Sequence, residues 1–424
     1  MTAAAASAPR RFAALRVADC RTYLIGGALA MMADNIEHVI TYWVLWQRYH
    51  SPVLAGFEVF SHWLPFLLLS IPFGALADRF DCRRVIQAGQ LLFAAVSIAW
   101  GVLFATNTLT VQAACVLLVL HGTAGALWGP AEQLMLHDFV GPDELPSAVR
   151  LNSTFRSLGI LFGPVVGGLL LVGLGPEAGI FVNALFYVPL ILFLLRTRAT
   201  GHTRDVVGDT VRFGFRELGR IARFVVGDRT LLSMMALAGL GSFFVGASLQ
   251  AVMPAFAGRL GAGEGDAAYS MLLFATGAGG VLGGLLLEAT GWPRPTIRAA
   301  VVSTLVYGAG ILGFAMTASF ALALVLLFLA GAANLASMSI SQTVVQLIAP
   351  PAERGRVLGF YGVAANGLRL GSGVTVGLFG AVVGVGAALT WSAAALCVGT
   401  VITGAVAAIG YRSAAGPEGR TARA

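Results

Sequence analysis

The sequence predicts an all-α polytopic membrane protein whose twelve transmembrane helices form two pseudo-symmetric six-helix bundles. Three observations carry this expectation. Of 424 residues, 57% are hydrophobic and only 11% charged, with a mean hydropathy of +0.83, so a water-soluble fold of this size would lack the polar groups to cover its surface. Twelve apolar stretches are each long enough, at about twenty residues, to cross about 30 Å of hydrocarbon. Arginine is confined almost wholly to alternate connections, which marks one face as the inner one.

Taken in order, the spans run roughly 22–46, 53–77, 85–106, 110–137, 147–174, 177–195, 231–256, 267–289, 296–315, 320–348, 355–383 and 387–411. Glycine and proline recur inside them, as in Ser70-Ile71-Pro72-Phe73-Gly74, which packed membrane helices tolerate and soluble helices do not. With span 1 starting inside, the amino terminus, the 78–84 and 138–150 loops, residues 196–229, Arg294, Arg298, Arg354, Arg356 and the carboxyl tail share one face. The opposite face carries only Arg48 and Arg259. The expected location is the bacterial inner (plasma) membrane, multi-pass, with both termini cytoplasmic. The net charge of +7 then reports topology, and nucleic acid is not an expected partner.

The same pattern divides the chain. Residues 1–195 make a first bundle, 196–229 a cytoplasmic linker, 230–411 a second bundle and 412–424 a cytoplasmic tail. The linker holds eight arginines in thirty-four residues. Its stretch 211–224 alternates apolar and basic residues at helical spacing, which predicts an amphipathic helix on the inner leaflet. A weak internal repeat supports two halves. At an offset of 209, Gln133, Pro142, Glu144 and Gly168 align with Gln342, Pro351, Glu353 and Gly377; Gly74, Asp78 and Arg84 have faded copies in Gly284, Glu288 and Arg294, 210 residues on.

Several function classes are excluded at this stage. There is no lysine and no phosphate-binding loop of the G-x-x-x-x-G-K-[ST] kind, so ATP drive is ruled out. Neither His-Glu-x-x-His nor Gly-x-Ser-x-Gly occurs, so no enzyme is expected. Cys20, Cys82, Cys115 and Cys397 are far apart and read as small core residues; no cofactor and no metal centre is expected.

Ionisable residues at membrane depth cost about 2.5–3.5 kcal/mol each on insertion scales, so each needs a partner or a task. In span 1, Asp34 and His38 are four residues apart on one helical face with Glu37 beside them. A carboxyl and an imidazole side by side in low dielectric exchange a proton near physiological pH; the cluster is either a proton-coupling site or an ion pair that holds spans together. Glu58 and His62 repeat the spacing nearer the outer surface and read as a solvated rim pair. Arg369 is a lone cation in span 11, with either an anionic substrate or a first-half carboxylate such as Asp34 as partner. Tyr42, Trp43, Trp63, Trp128, Phe244, Gln250, Asn334 and Asn366 are the candidates to line a substrate cavity with Arg369; interface belts and packing explain such residues equally well.

Between spans 2 and 3, Gly74-Ala75-Leu76-Ala77-Asp78-Arg79-Phe80-Asp81-Cys82-Arg83-Arg84 sets five charges in a tight hairpin at the membrane surface. The spacing G-x-L-A-D-R-x-x-x-R-R resembles the signature loop of the major facilitator superfamily. In span 5, Gly159, Gly163, Pro164, Gly167 and Gly168 spell G-x-x-x-G-P-x-x-G-G, which permits close helix packing and resembles the antiporter motif of that superfamily's exporters. Asp34-Asn35-Ile36-Glu37, Ser51-Pro52, Leu64-Pro65, Pro130-Ala131-Glu132-Gln133, Glu144-Leu145-Pro146 and Leu151-Asn152-Ser153 resemble the branch containing the enterobactin exporter. The likeness covers about the first 170 residues, with Arg354-Gly355-Arg356 in the second half. Glu132 and His38 depart from that branch, and His121-Gly122 stands where many drug antiporters carry arginine.

The resemblance implies the major facilitator fold, a monomer among membrane lipid, and proton-coupled export of a small hydrophobic or amphipathic molecule of the drug or siderophore class. Uptake symport, lysolipid flipping and a transport-dead sensor are the alternatives. It also implies a gate latch of Gly74, Asp78, Arg79, Arg83, Arg84 and Asp138. Asp78 is expected to face the positive end of the helix starting near Gly355, and Arg83 and Arg84 to reach Asp138.

Overall fold

The computed structural model describes residues 11–50, 52–203, 215–260 and 266–414, and these are helical with no strand among them. Spans 1 to 3 are single helices, Ala18–Tyr49, Pro52–Arg79 and Cys82–Ala105. Spans 4, 5 and 6 form one helical run, Val111–Leu185, continued by Val188–Arg196, which turns twice. Both turns fall on a Gly-Pro step, Gly141-Pro142 and Gly175-Pro176, with glycine φ of 74° and 78°. Proline bars the α conformation from the residue before it, glycine takes a left-handed one without steric cost, and the missing proline N–H does no harm in the first turn of the next helix. The expected 138–150 loop is therefore mostly helix, reduced to the turn at Gly141.

Spans 8, 9, 10 and 12 are Asp266–Thr290, Ile297–Met316, Phe320–Ile348 and Val385–Ala414. Spans 7 and 11 differ from the continuous helices expected. Span 7 is Arg229–Phe244 followed by Ser248–Arg259, and span 11 passes through two π-helical segments, Val363–Gly367 and Gly373–Leu378. The irregular segments lie together and satisfy each other's backbone, the only arrangement in which broken helices survive at membrane depth. Ser372 Oγ accepts from the amides of Ala247 (3.1 Å) and Ser248 (3.2 Å). Ser242 Oγ donates to the Ala365 carbonyl at 2.6 Å, and Thr375 Oγ1 to that of Phe243 at 3.2 Å.

The halves meet along two seams, span 2 against span 11 and span 5 against span 8. Lipid tails are as apolar as leucine, so close backbone packing rather than hydrophobic burial holds such seams. A Cβ at Gly74 would lie 2.2 Å from the Gly355 carbonyl oxygen, and one at Gly284 would lie 2.1 Å from Thr154 Oγ1. These two glycines are repeat equivalents, so the seams are related by the pseudo-twofold. Span 5 packs on span 1 within the first half, where Gly163 would place a Cβ 2.4 Å from Asn35 Cβ.

Residues 204–214, which include the start of the amphipathic stretch, lie outside the described residues. The helix Phe215–Gly227 that follows buries Ile221 and Val225 in the protein core and leaves Val226 exposed, and Arg220 pairs with Glu353 at the start of span 11.

Candidate functional site

The charged residues of span 1 converge on a histidine from span 4. His121 lies between two carboxylates, with Nε2 2.7 Å from Asp34 Oδ1 and Nδ1 2.8 Å from Glu37 Oε1. Each contact needs one hydrogen between nitrogen and oxygen, so two hydrogens are shared among one ring and two carboxyl groups. The second oxygen of Glu37 accepts from Ser97 Oγ, and Ser97 in turn accepts from Asn183 Nδ2 at 3.2 Å. Spans 1, 3, 4 and 6 thus build one buried network. Asp34, Glu37, His121 and Ser97 are all hydrogen-bonded within it, which offsets the cost of placing charge at membrane depth, while Asn183 Oδ1 is buried with no partner.

Two further histidines close the cluster. The His38 ring lies 4.9 Å from His121 and 4.8 Å from His62 between centroids, and stacks on Tyr42 at 5.1 Å. His62 stands edge-on to Trp63 at 4.5 Å. His38 Nε2 and His62 Nδ1 are buried with no hydrogen-bond partner. Asp34, His38, His62 and His121 present one ligand atom each within 4.8 Å of one another, so these four are the residues able to hold a metal.

A second constellation lies on the arginine-rich face. Asp78, at the end of span 2, accepts from the Gly355 amide (2.5 Å), the Arg356 amide (3.0 Å) and Arg356 Nε (3.1 Å). A carboxylate here meets both the free N–H groups and the positive end of the span 11 helix. Its repeat equivalent Glu288, at the end of span 8, accepts from Ser147 Oγ and, at 2.8 Å, from Arg150 Nε, both at the start of span 5. Two carboxylates, one from each half, thereby clamp the two seams on the same face.

The remaining latch residues are bound locally. Asp81 caps span 3 by accepting from the Arg83 amide, and its carboxylate also grips the Arg83 guanidinium at 2.7 Å. Partial burial pushes the Asp81 carboxyl up, but the Arg83 hydrogen bonds and charge hold it net below the usual carboxylate range. Arg83 also donates to the Thr197 carbonyl at 2.6 Å, Arg84 donates to Gln87 Oε1 at 2.9 Å, and Arg79 lies over the Phe80 ring. Asp138 accepts from the Gly201 amide at 2.9 Å. The expected reach of Arg83 and Arg84 to Asp138 is corrected: a partner two residues away captures Arg83 before the interface can.

In the span 5 motif, Gly159, Gly163 and Gly167 face span 1 at Ala28–Met32, Asn35 and Ile36, whereas Gly168 has nothing within 4 Å and Pro164 is exposed. Among the cavity candidates, Trp63 lies under the Arg369 guanidinium at 4.5 Å. Trp128 is buried, donates to Tyr23 and is covered by Arg156, which pairs with Glu132. Phe244, Asn334 and Asn366 are half-buried, the first at the break of span 7 and the last in a π segment of span 11. Trp43 is 46% exposed. The Gln250 side chain lies outside the described residues. Arg369 is not paired with Asp34; its Nε donates to the Ala365 carbonyl at 3.3 Å.

The profile of a transporter family described as transmembrane secretion effectors, within the major facilitator superfamily, matches residues 10–415. The chain belongs to that family. It is 28% identical to the multidrug efflux pump Tap of Mycolicibacterium fortuitum over 81% of its own length and 84% of the relative's. It is 23% identical to the staphyloferrin A transporter of Staphylococcus aureus, over 39% of this chain but only 42% of that one. The human organic anion transporter MFSD10 superposes with a TM-score of 0.76 over 92% of this chain and 99% of that one, at 15% identity. The outward conformation of FucP superposes at 0.73 and 13% identity, over 91% and 97%. The superpositions show the all-α facilitator fold, and the family match makes the chain a member of a transporter family and not of an enzyme family.

The central network was only half visible in the sequence. Asp34, Glu37 and His38 lie together on span 1, but His121, Ser97 and Asn183 come from other spans and were not assigned. Glu58 and His62 are not the solvated rim pair expected: His62 turns inward to His38 and His121. The available signal was polar residues recurring at membrane depth in spans 3, 4 and 6, without the helix rotations that decide which of them meet.

Proposed function

We propose that this secretion effector exports a small hydrophobic or amphipathic molecule of the drug or siderophore class across the inner membrane by alternating access, driven by protons moving inward. The observation that carries the reading is the pair of interfacial clamps, Asp78 on span 11 and Glu288 on span 5. Both close the arginine-rich face, the cytoplasmic one in this reading, and each joins opposite halves, so rocking the bundles apart must break both. Removing one member of a buried ion pair costs about 3–5 kcal/mol, enough for two such clamps to bias which side is open. Asp34, Glu37 and His38, joined by His121, are the proton-coupling residues in this reading, and Trp63, Tyr42 and Arg369 line the cavity beside them. The glycine face of span 5 and the likeness to a multidrug efflux pump and to a tetracenomycin C export protein favour export over uptake.

The test uses everted membrane vesicles holding an acid-inside proton gradient, challenged with hydrophobic drugs and catecholate siderophores while internal pH is followed. Collapse of the gradient by one compound, absent in Asp34→Asn, is the expected result. No collapse with any compound, in vesicles containing folded protein, would overturn proton-coupled export of these classes in favour of uptake or lipid transport.

A further inference from the structure

We propose that Asp34, His38, His62 and His121 form a binding site for one borderline transition-metal dication of the zinc class. The sequence argued against metal from its scattered cysteines; the donors here are imidazoles on three different spans, invisible to spacing along the chain. Three imidazoles and a carboxylate without a thiolate suit zinc, cobalt, nickel or copper and not the harder calcium or magnesium.

Four features of the site point to such an ion. The ligand atoms already lie within 4.8 Å of one another. Zinc bonds to nitrogen of about 2.0–2.1 Å in tetrahedral geometry place donors about 3.4 Å apart, a contraction that ring rotation supplies. His38 Nε2 and His62 Nδ1 are buried and without a hydrogen-bond partner, and a buried unpaired polar nitrogen is costly; in the tautomer that leaves it unprotonated, a metal gives such a nitrogen its missing bond. His121 offers Nε2 toward Asp34 while Nδ1 meets Glu37 at 2.8 Å. A carboxylate behind a ligating imidazole is the usual way its ring is oriented and its basicity raised, and Ser97 fixes Glu37 in turn. Charge balance agrees, since the two carboxylates of Asp34 and Glu37 sum with a dication to zero, the least costly state at membrane depth.

The exchange is simple to balance. The ion takes the place of the hydrogen between His121 Nε2 and Asp34 Oδ1, and that hydrogen leaves as a proton to solvent. Tyr42 against His38, Trp63 against His62 and Phe93 at 4.8 Å from His121 pack around the rings, and the half-buried His38 and His62 leave the site a way in from the cavity side. The site shares Asp34, His38 and His121 with the proton-coupling cluster of the export reading, so ion and proton compete there; binding is measured with neither gradient nor substrate, which keeps its failure distinguishable from failure of export.

The experiment titrates purified, chelator-stripped protein in detergent with Zn²⁺ by calorimetry and with Co²⁺ by visible spectroscopy. One ion per chain is expected, with Co²⁺ giving the intense visible bands of a four-coordinate centre and no near-ultraviolet thiolate band from Cys20, Cys82, Cys115 or Cys397. His62→Gln and His38→Gln, each monodisperse and melting like the parent, are expected to lose saturable binding. Glu37→Gln is expected to weaken it about 10- to 100-fold, the usual cost of an outer-shell partner. Absence of the visible bands in the parent protein, or Zn²⁺ binding unchanged in the His38→Gln/His62→Gln double variant, would overturn the proposal.

Discussion

At the scale of single residues, position within a network outweighs residue type. Asp78 and Asp81 are three residues apart and both bind arginine, yet Asp78 bridges two halves of the molecule with its side chain almost wholly buried, and Asp81 caps its own helix with its carboxylate 28% exposed. Asp78→Ala is therefore expected to destabilise the closed arginine-rich face by about 3–5 kcal/mol. This is read as increased labelling, by a membrane-impermeant thiol reagent applied from the cytoplasmic side, of a cysteine introduced at Ser70. Asp81→Ala is expected to cost only about 1 kcal/mol, the worth of a helix cap, with labelling unchanged. His121→Ala removes the group between Asp34 and Glu37 and is expected to abolish substrate-induced gradient collapse in everted vesicles while the protein still reaches the membrane.

At the scale of elements, helix contacts are set by where glycine faces. Gly163 and Gly168 belong to one motif, but only Gly163 meets another backbone. Gly163→Ala forces an overlap with Asn35 and is expected to cost about 1–3 kcal/mol, seen as a lower melting temperature in detergent. Gly168→Ala meets open space and is expected to leave the melting temperature unchanged or slightly higher through its better helix propensity. The break in span 7 is held by Ser372. Ser372→Ala strips two amides of their acceptor, and faster hydrogen exchange at residues 247 and 248 is the expected readout.

At the scale of the whole molecule, the two clamps are separate copies of one device. Asp78 and Glu288 share no partner, so their effects on the open–closed equilibrium are expected to add. Double electron–electron resonance between labels on the two halves tests this. Each single neutralisation is expected to raise the population of the form open on the arginine-rich face, and Asp78→Asn with Glu288→Gln to change the open–closed free energy, read from the two populations, by the sum of the single changes. A double variant no different from either single one would mean that one clamp alone closes the face.

The turns at Gly141-Pro142 and Gly175-Pro176 came only with the structure, although the backbone restrictions of Gly-Pro are local. The sequence by itself determined the membrane class and the long apolar spans, because apolar length is a local property, and the resemblance carried by the 74–84 loop pointed Asp78 to the start of span 11. The sequence also placed Asp34, Glu37 and His38 on one face, because 3.6 residues per turn is a fixed period. Only the tertiary structure decided that His121 and His62 complete that face, that Arg83 is captured by Asp81, that Arg369 stacks on Trp63, and that spans 7 and 11 break together. Such outcomes depend on the rotation of each helix about its own axis. In lipid every face of a span is apolar enough to be buried or exposed, so hydropathy cannot fix that rotation and packing of small residues does.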